Sequence, residues 1–218
     1  MNDKPCRGLR SDAARNRERV LRAARELFAM RGLEATLNDV AKHANVGVGT
    51  VYRRFPCKDD LIEAIFEDAL DQVVCLAETA LQHQDSWEGL VWYVEQLCAL
   101  TATDRGLREM VYSAAYNGNN RVERVQERLS PLTTRLVERA RADGHVRPDL
   151  APTDMPVISM LAGTVSEWAG HVEPDLWRRY VALVLDGIRR RDDQQPLPVD
   201  ALDTEQMHDA MRGCKRTG

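Results

Sequence analysis

Thr50, Tyr52, Arg53 and Arg54 place a hydroxyl, a phenol and two guanidinium groups within five residues of a 218-residue chain. Val51 and Phe55, four apart, share one face of a helix and turn these four side chains to its other sides. Such groups donate hydrogen bonds to phosphate oxygens, and a guanidinium can also read a guanine edge with two bonds. The competing reading is an ordinary solvated face. Lys58 follows at what reads as a helix start, where a cation opposes the helix dipole. Local folding gives no reason for a lysine there, whereas an external anion does, and the N–H groups of that helix end also attract phosphate.

The elements that would position these residues are short helices. Val20, Leu21, Ala24, Leu27 and Phe28 form the stripe of a first helix, with Ser11 or Asp12 as its cap and Gly32 as its stop. Thr36 and Asp39 have the spacing of a capping box, and Leu37, Val40, Ala41 and Ala44 give the next helix one apolar face. Asn45-Val46-Gly47 reads as a tight turn, because Asn tolerates the left-handed conformation. A third helix spans about 48–54, and Pro56 ends it by disfavouring helix at Phe55. Two short helices across a tight turn, steadied by a first one, form a helix-turn-helix over residues 36–55.

Charge supports this division. The net charge is −4, yet residues 1–60 hold 13 Lys/Arg against 8 Asp/Glu, and residues 61–218 hold 17 against 26. A basic head on an acidic body suits a nucleic-acid-binding domain joined to another module. Arg7, Arg10, Arg15 and Arg17 precede or start the first helix, as a minor-groove arm or a diffuse field, with Arg17 a candidate contact. No stretch approaches the ~18 apolar residues of a membrane span, and no apolar run follows the basic N-terminus as a secretory signal requires. Cys6, Cys57, Cys75, Cys98 and Cys214 are scattered without C-x-x-C spacing. The expectation is a reducing, cytoplasmic setting with no metal and no cofactor. Cys57 holds an N-cap position that suits Ser; a redox role and a tolerated substitution are both open there.

Residues 20–65, "VLRAARELFAMRGLEATLNDVAKHANVGVGTVYRRFPCKDDLIEAI", resemble the tetracycline-repressor (TetR) family of bacterial regulators. Helix, Gly, Thr cap, short helix, turn, "GTVYRRF", Pro and Lys stand in the family's order. Asn45 departs from a usual Gly, and Val48 from a frequent polar or basic residue. The resemblance implies an all-α fold, with a three-helix DNA-binding head on a larger helical ligand-binding and dimerisation domain. It implies contacts to double-stranded operator DNA from Thr36, Val48, Gly49, Thr50, Tyr52, Arg53, Arg54 and Lys58. It also implies a homodimer whose third helices enter successive major grooves, and a small-molecule effector that releases the DNA.

Beyond the head, apolar spacing of 3, 4 and 7 predicts helices at about 58–83, 86–103, 105–116, 120–143, 153–170 and 174–191, with a kink or break at Pro131. The expected domains are 11–57 for DNA, 58–191 for ligand and dimer, and a flexible tail at 192–218, with a weakly docked turn around 202–211. Val157, Met160, Leu161, Thr164, Val165 and Trp168 form one broad stripe, and Trp177, Tyr180, Val181, Val184, Leu185 and Ile188 another. By themselves the stripes are core or interface; the resemblance makes them a four-helix dimer interface, with Gly163 and Gly187 allowing close helix approach. Trp92 falls opposite the apolar face of its helix and, with Tyr93, Met110, Tyr112 and Tyr116, can line a ligand pocket or join the core. No Gly-rich phosphate loop, G-x-S-x-G or H-E-x-x-H supports the rival reading of a helical enzyme. An activator, or a DNA-binding regulator without an effector, is the nearer alternative.

Overall fold

In a computed structural model, residues 6–112 and 121–213 are described, with side chains over 16–109 and 123–211. Among the described residues the elements are helices, and the sole β pairing is one bridge between Val146 and Arg189. The compact units are Met1–Asp68 and Ala69–Gly218.

The first unit begins with α1 (Cys6–Arg31). Ser11 and Asp12 therefore lie inside this helix and are not its cap. A capping residue permits a start without forcing one, and the Ala- and Arg-rich run that follows favours helix in its own right. Gly32, at φ 68, turns the chain into a short 3₁₀ turn, Gly32–Glu34. Thr36 then caps α2 (Leu37–His43): its Oγ1 accepts from the Asp39 amide at 3.2 Å, and the Asp39 carboxylate accepts from the Thr36 amide at 2.9 Å. The Thr36 hydroxyl, which donates to the Asp39 carboxylate at 2.6 Å, and then the Thr36 amide hold the Asp39 carboxyl below its usual range. Asn45 adopts φ 52, and Gly47 is the N-cap of α3 (Val48–Arg54). Val51 and Phe55 are buried, as are Leu61, Ile62, Ile65 and Phe66 on the opening turns of α4 (Lys58–Leu81). The division between the units thus falls within α4, at Asp68, whereas the sequence reading divides the chain ahead of Lys58.

In the second unit α5 (Ser86–Thr103) is central, packed on α8 (Ser130–Ala142), α9 (Asp154–Ala169) and α10 (Leu176–Ile188). α6 (Arg105–Tyr112) and α7 (Arg121–Arg128) complete it. The helix expected at 120–143 is two, parted at Leu129, because Pro131 lacks an N–H and sits comfortably only in the first turn of α8. The core holds Leu90, Tyr93, Val94, Cys98, Leu136, Val137, Met155, Ile158 and Trp177, and each large apolar side chain contributes ~1.5–3 kcal/mol by leaving water. Burial pushes the Cys98 thiol up to about 12. Past α10, where the sequence reading expects a flexible tail with a weakly docked turn around 202–211, the described chain forms hydrogen bonds to the second unit and includes α11 (Thr204–Gly213). No described helix is long and apolar enough to cross a membrane.

Candidate nucleic-acid interface

Seven residues of α3 separate what is held inside from what is offered outward. Val51 and Phe55 anchor the helix, and Tyr52 (44% exposed), Arg53 and Arg54 stand in solvent. Thr50 is half-buried, and its Oγ1 accepts from Arg53 Nη2 at 3.3 Å, which steadies the guanidinium over the helix's first turn. Val48 is 45% exposed, an apolar contact surface where a donor would otherwise stand. A Cβ added at Gly49 would meet nothing within 4 Å, so internal packing does not require glycine there. Close approach by an external backbone is a reason that remains. Thr36 is exposed at the N-terminus of α2, with its hydroxyl engaged by Asp39 at 2.6 Å. Arg17 is half-buried on α1.

Lys58 has an internal partner that its sequence context does not reveal. Its Nζ donates to the Leu33 carbonyl, in the 3₁₀ turn that Gly32 begins. Lys58 thus has a partner within the fold, which corrects the expectation that only an external anion explains a lysine at this helix start. Cys57 precedes it, exposed, with its amide and Sγ both donating to Asp60 Oδ2, at 3.2 and 3.1 Å. Asp60 therefore closes the start of α4. Arg25 and Asp68 form an ion pair between α1 and α4 that the sequence reading did not single out. Their separation of 43 residues leaves no local signal.

The second unit divides the expected interface residues. Trp177, Val181, Leu185 and Ile188 are buried in the core of the second unit, and Val165 and Val184 are half-buried against it. Trp177, Val181, Leu185 and Ile188 are therefore corrected from interface to core, because α10 turns this stripe onto α5 and α9. Val157, Met160, Leu161, Thr164, Trp168 and Tyr180 are exposed. Gly163 also serves inward: a Cβ there would lie 2.4 Å from Arg108 Cδ and 3.3 Å from the Thr101 carbonyl, so its close approach is to α5 and α6. Gly187 faces open space. Of the pocket residues, Tyr93 is in the core, whereas Trp92 is half-buried with its ring 5.8 Å from that of His83. Consecutive positions on α5 thus point two ways and do not converge on one lining. The side chains of Met110 and Tyr112, and Tyr116 altogether, lie outside the described residues. Among the described residues no group of three His, Cys, Asp or Glu could hold a metal ion.

A short helix held by a capping box, a tight turn, an exposed cationic third helix and a further helical unit define a helix-turn-helix regulator. Comparison with known proteins gives the family. Residues 20–65 match the family described as bacterial regulatory proteins, tetR family. Residues 85–190 match the domain described as transcriptional regulator SbtR-like, C-terminal domain. The crystal structure of a TetR transcription regulatory protein from Mycobacterium vanbaalenii is similar at 32% identity and a TM-score of 0.58, covering 84% of this chain and 99% of that one. An HTH-type transcriptional regulator of Staphylococcus aureus (strain USA300) is 39% identical over 64 residues, 29% of this chain and 35% of that protein. The match thus spans about a third of such curated relatives. The fold is also that of RolR, solved in complex with resorcinol, at 17% identity and a TM-score of 0.51, covering 92% of this chain and 95% of that one. The chain belongs to the TetR family of transcriptional regulators, which bind DNA.

Proposed function

We propose that the protein is a homodimeric repressor that binds a roughly palindromic operator through α3 and is released by a small-molecule effector. One observation supports the DNA reading: Val51 within α3 and Phe55 just after it are buried, while Tyr52, Arg53 and Arg54 on the same helix are exposed. Residues 11–57 are assigned the operator, with Thr36, Val48, Gly49, Thr50, Lys58 and Arg17 flanking the three exposed side chains. Residues 58–191 are assigned the effector and the dimer contact. The exposed apolar row of α9, with Tyr180 on α10, supports self-association, because Leu161 and Trp168 are too exposed for a folded core. The resorcinol complex of RolR supports an apolar or amphipathic effector, with half-buried Trp92 as the candidate contact among the described residues.

Arg53→Ala and Tyr52→Phe test the operator surface. Each is expected to lower affinity for a selected duplex, Arg53→Ala by about 1–3 kcal/mol, with helicity unchanged. Removing one phosphate-binding cation from each subunit lowers the slope of log affinity against log salt by about two. Unchanged affinity and slope in both variants would count decisively against this surface. Release is tested by titrating an apolar effector against the complex: reciprocal weakening of DNA and effector is expected, and equal effector affinity with and without DNA would defeat the mechanism.

A further inference from the structure

Val48 keeps 45% of its surface in water, although α3 has a buried side at Val51 and Phe55. The helical period sets its neighbours. At about 3.6 residues per turn, Gly49 and Arg53 form the line opposite Val51 and Phe55. Val48 and Tyr52 lie on one flank of that line, and Thr50 and Arg54 on the other. The two flanks differ in chemistry. Thr50 Oγ1 accepts from Arg53 Nη2 at 3.3 Å, which draws that guanidinium toward the polar flank. The other flank presents the Val48 methyls beside the exposed Tyr52 ring. A Cβ at Gly49 would meet nothing within 4 Å, so the bare backbone of the outer line is open to close approach. A valine side chain neither donates nor accepts a hydrogen bond. Against a phosphate it would strip water from the anion and return nothing. Among the base edges of the major groove, the apolar feature is the thymine C5-methyl. Exposed, apolar and on the helix that carries the cations, Val48 suits that methyl.

We propose that Val48 is a specificity residue that reads a thymine C5-methyl in each operator half-site, with the Tyr52 ring closing the contact from the next turn. The inference rests on the operator-binding reading above, and the probes separate the two. The unaltered full-length protein first selects a duplex from random sequence. Each thymine of that duplex is then replaced, symmetrically in both half-sites, by 2′-deoxyuridine. The replacement removes the C5-methyl and leaves the hydrogen-bonding groups of the base in place. At one thymine per half-site the affinity is expected to fall about fourfold for each half-site, hence about fifteenfold for the two, the value of one buried methyl group on each side. Val48→Ala leaves α3 its buried anchors, so its helicity should match the parent's. This variant is expected to distinguish the uridine duplex from the thymine duplex by less than about twofold, because the partner of the methyl is gone. A selected duplex in which no thymine responds to loss of its methyl overturns the proposal. So does a Val48→Ala variant that keeps the parent's uridine penalty. Failure of the unaltered protein to select any duplex sinks the operator reading itself, and the role of Val48 with it.

Discussion

Trp168 and Trp177 lie nine residues apart and were indistinguishable as stripe positions, yet they should behave oppositely. Trp168 is 73% exposed near the end of α9, and Trp177 is 2% exposed at the start of α10. Trp177→Ala leaves a cavity among Ile158, Val181 and the other core side chains, at a cost of about 3–5 kcal/mol. That is a large part of the 5–15 kcal/mol typical of a folded domain. Trp168→Ala creates no cavity within the protomer. If Trp168 anchors a two-fold interface, each copy contributes ~2 kcal/mol, so the symmetric variant loses ~4 kcal/mol, about a thousandfold in dimer Kd. Denaturant unfolding at several protein concentrations, with sedimentation of a dilution series, separates the two. Trp177→Ala should lower stability at every concentration, and Trp168→Ala only through dissociation, most strongly on dilution. A Trp168→Ala dimer as tight as the parent would refute the interface. A Trp177→Ala loss that vanished at high concentration would refute its place in the core.

Other outcomes follow from individual contacts. Gly163→Ala should destabilise by ~1–3 kcal/mol in a thermal melt, because the new Cβ meets Arg108 Cδ at 2.4 Å and the Thr101 carbonyl at 3.3 Å. Gly187→Ala, with nothing in reach, should be neutral or stabilise by up to ~1 kcal/mol through helix propensity. Asp149 is held down to about 2 from an ordinary 3.8, first by the Arg147 hydrogen bond and then by the Leu197 amide. Its folded value is depressed, so its contribution is complete above the unfolded value and is lost as pH falls through about 2. Melting temperature against pH should therefore show a shallower decline between about 4 and 2 in Asp149→Asn than in the parent; identical profiles would contradict this. Thr36→Ala should cost ~1 kcal/mol through loss of the α2 cap, measured by equilibrium unfolding.

The head was legible because its signals are local. Thr36 with Asp39, Asn45 with Gly47, and Phe55 with Pro56 each fix a helix end within four residues. Local rules placed less well what depends on distant chain. Ser11 has a capping side chain but no power to stop the helix-forming residues around it, so α1 begins earlier. Lys58 offered only a charge at a helix start until the Leu33 carbonyl, 25 residues away, gave it a partner.

The sequence by itself determined an all-helical chain, a helix-turn-helix at 36–55, and an α3 that keeps Val51 and Phe55 inward and its cations outward. Four-residue periodicity and capping chemistry are properties of a single segment, and they act wherever that segment is placed. Only the tertiary structure decided which stripe of α10 is core, that Gly163 makes room for Arg108, and that the chain beyond α10 returns to α7. A helical period shows that a face is apolar; whether its own chain covers it depends on contacts between segments far apart in sequence, which no local pattern encodes.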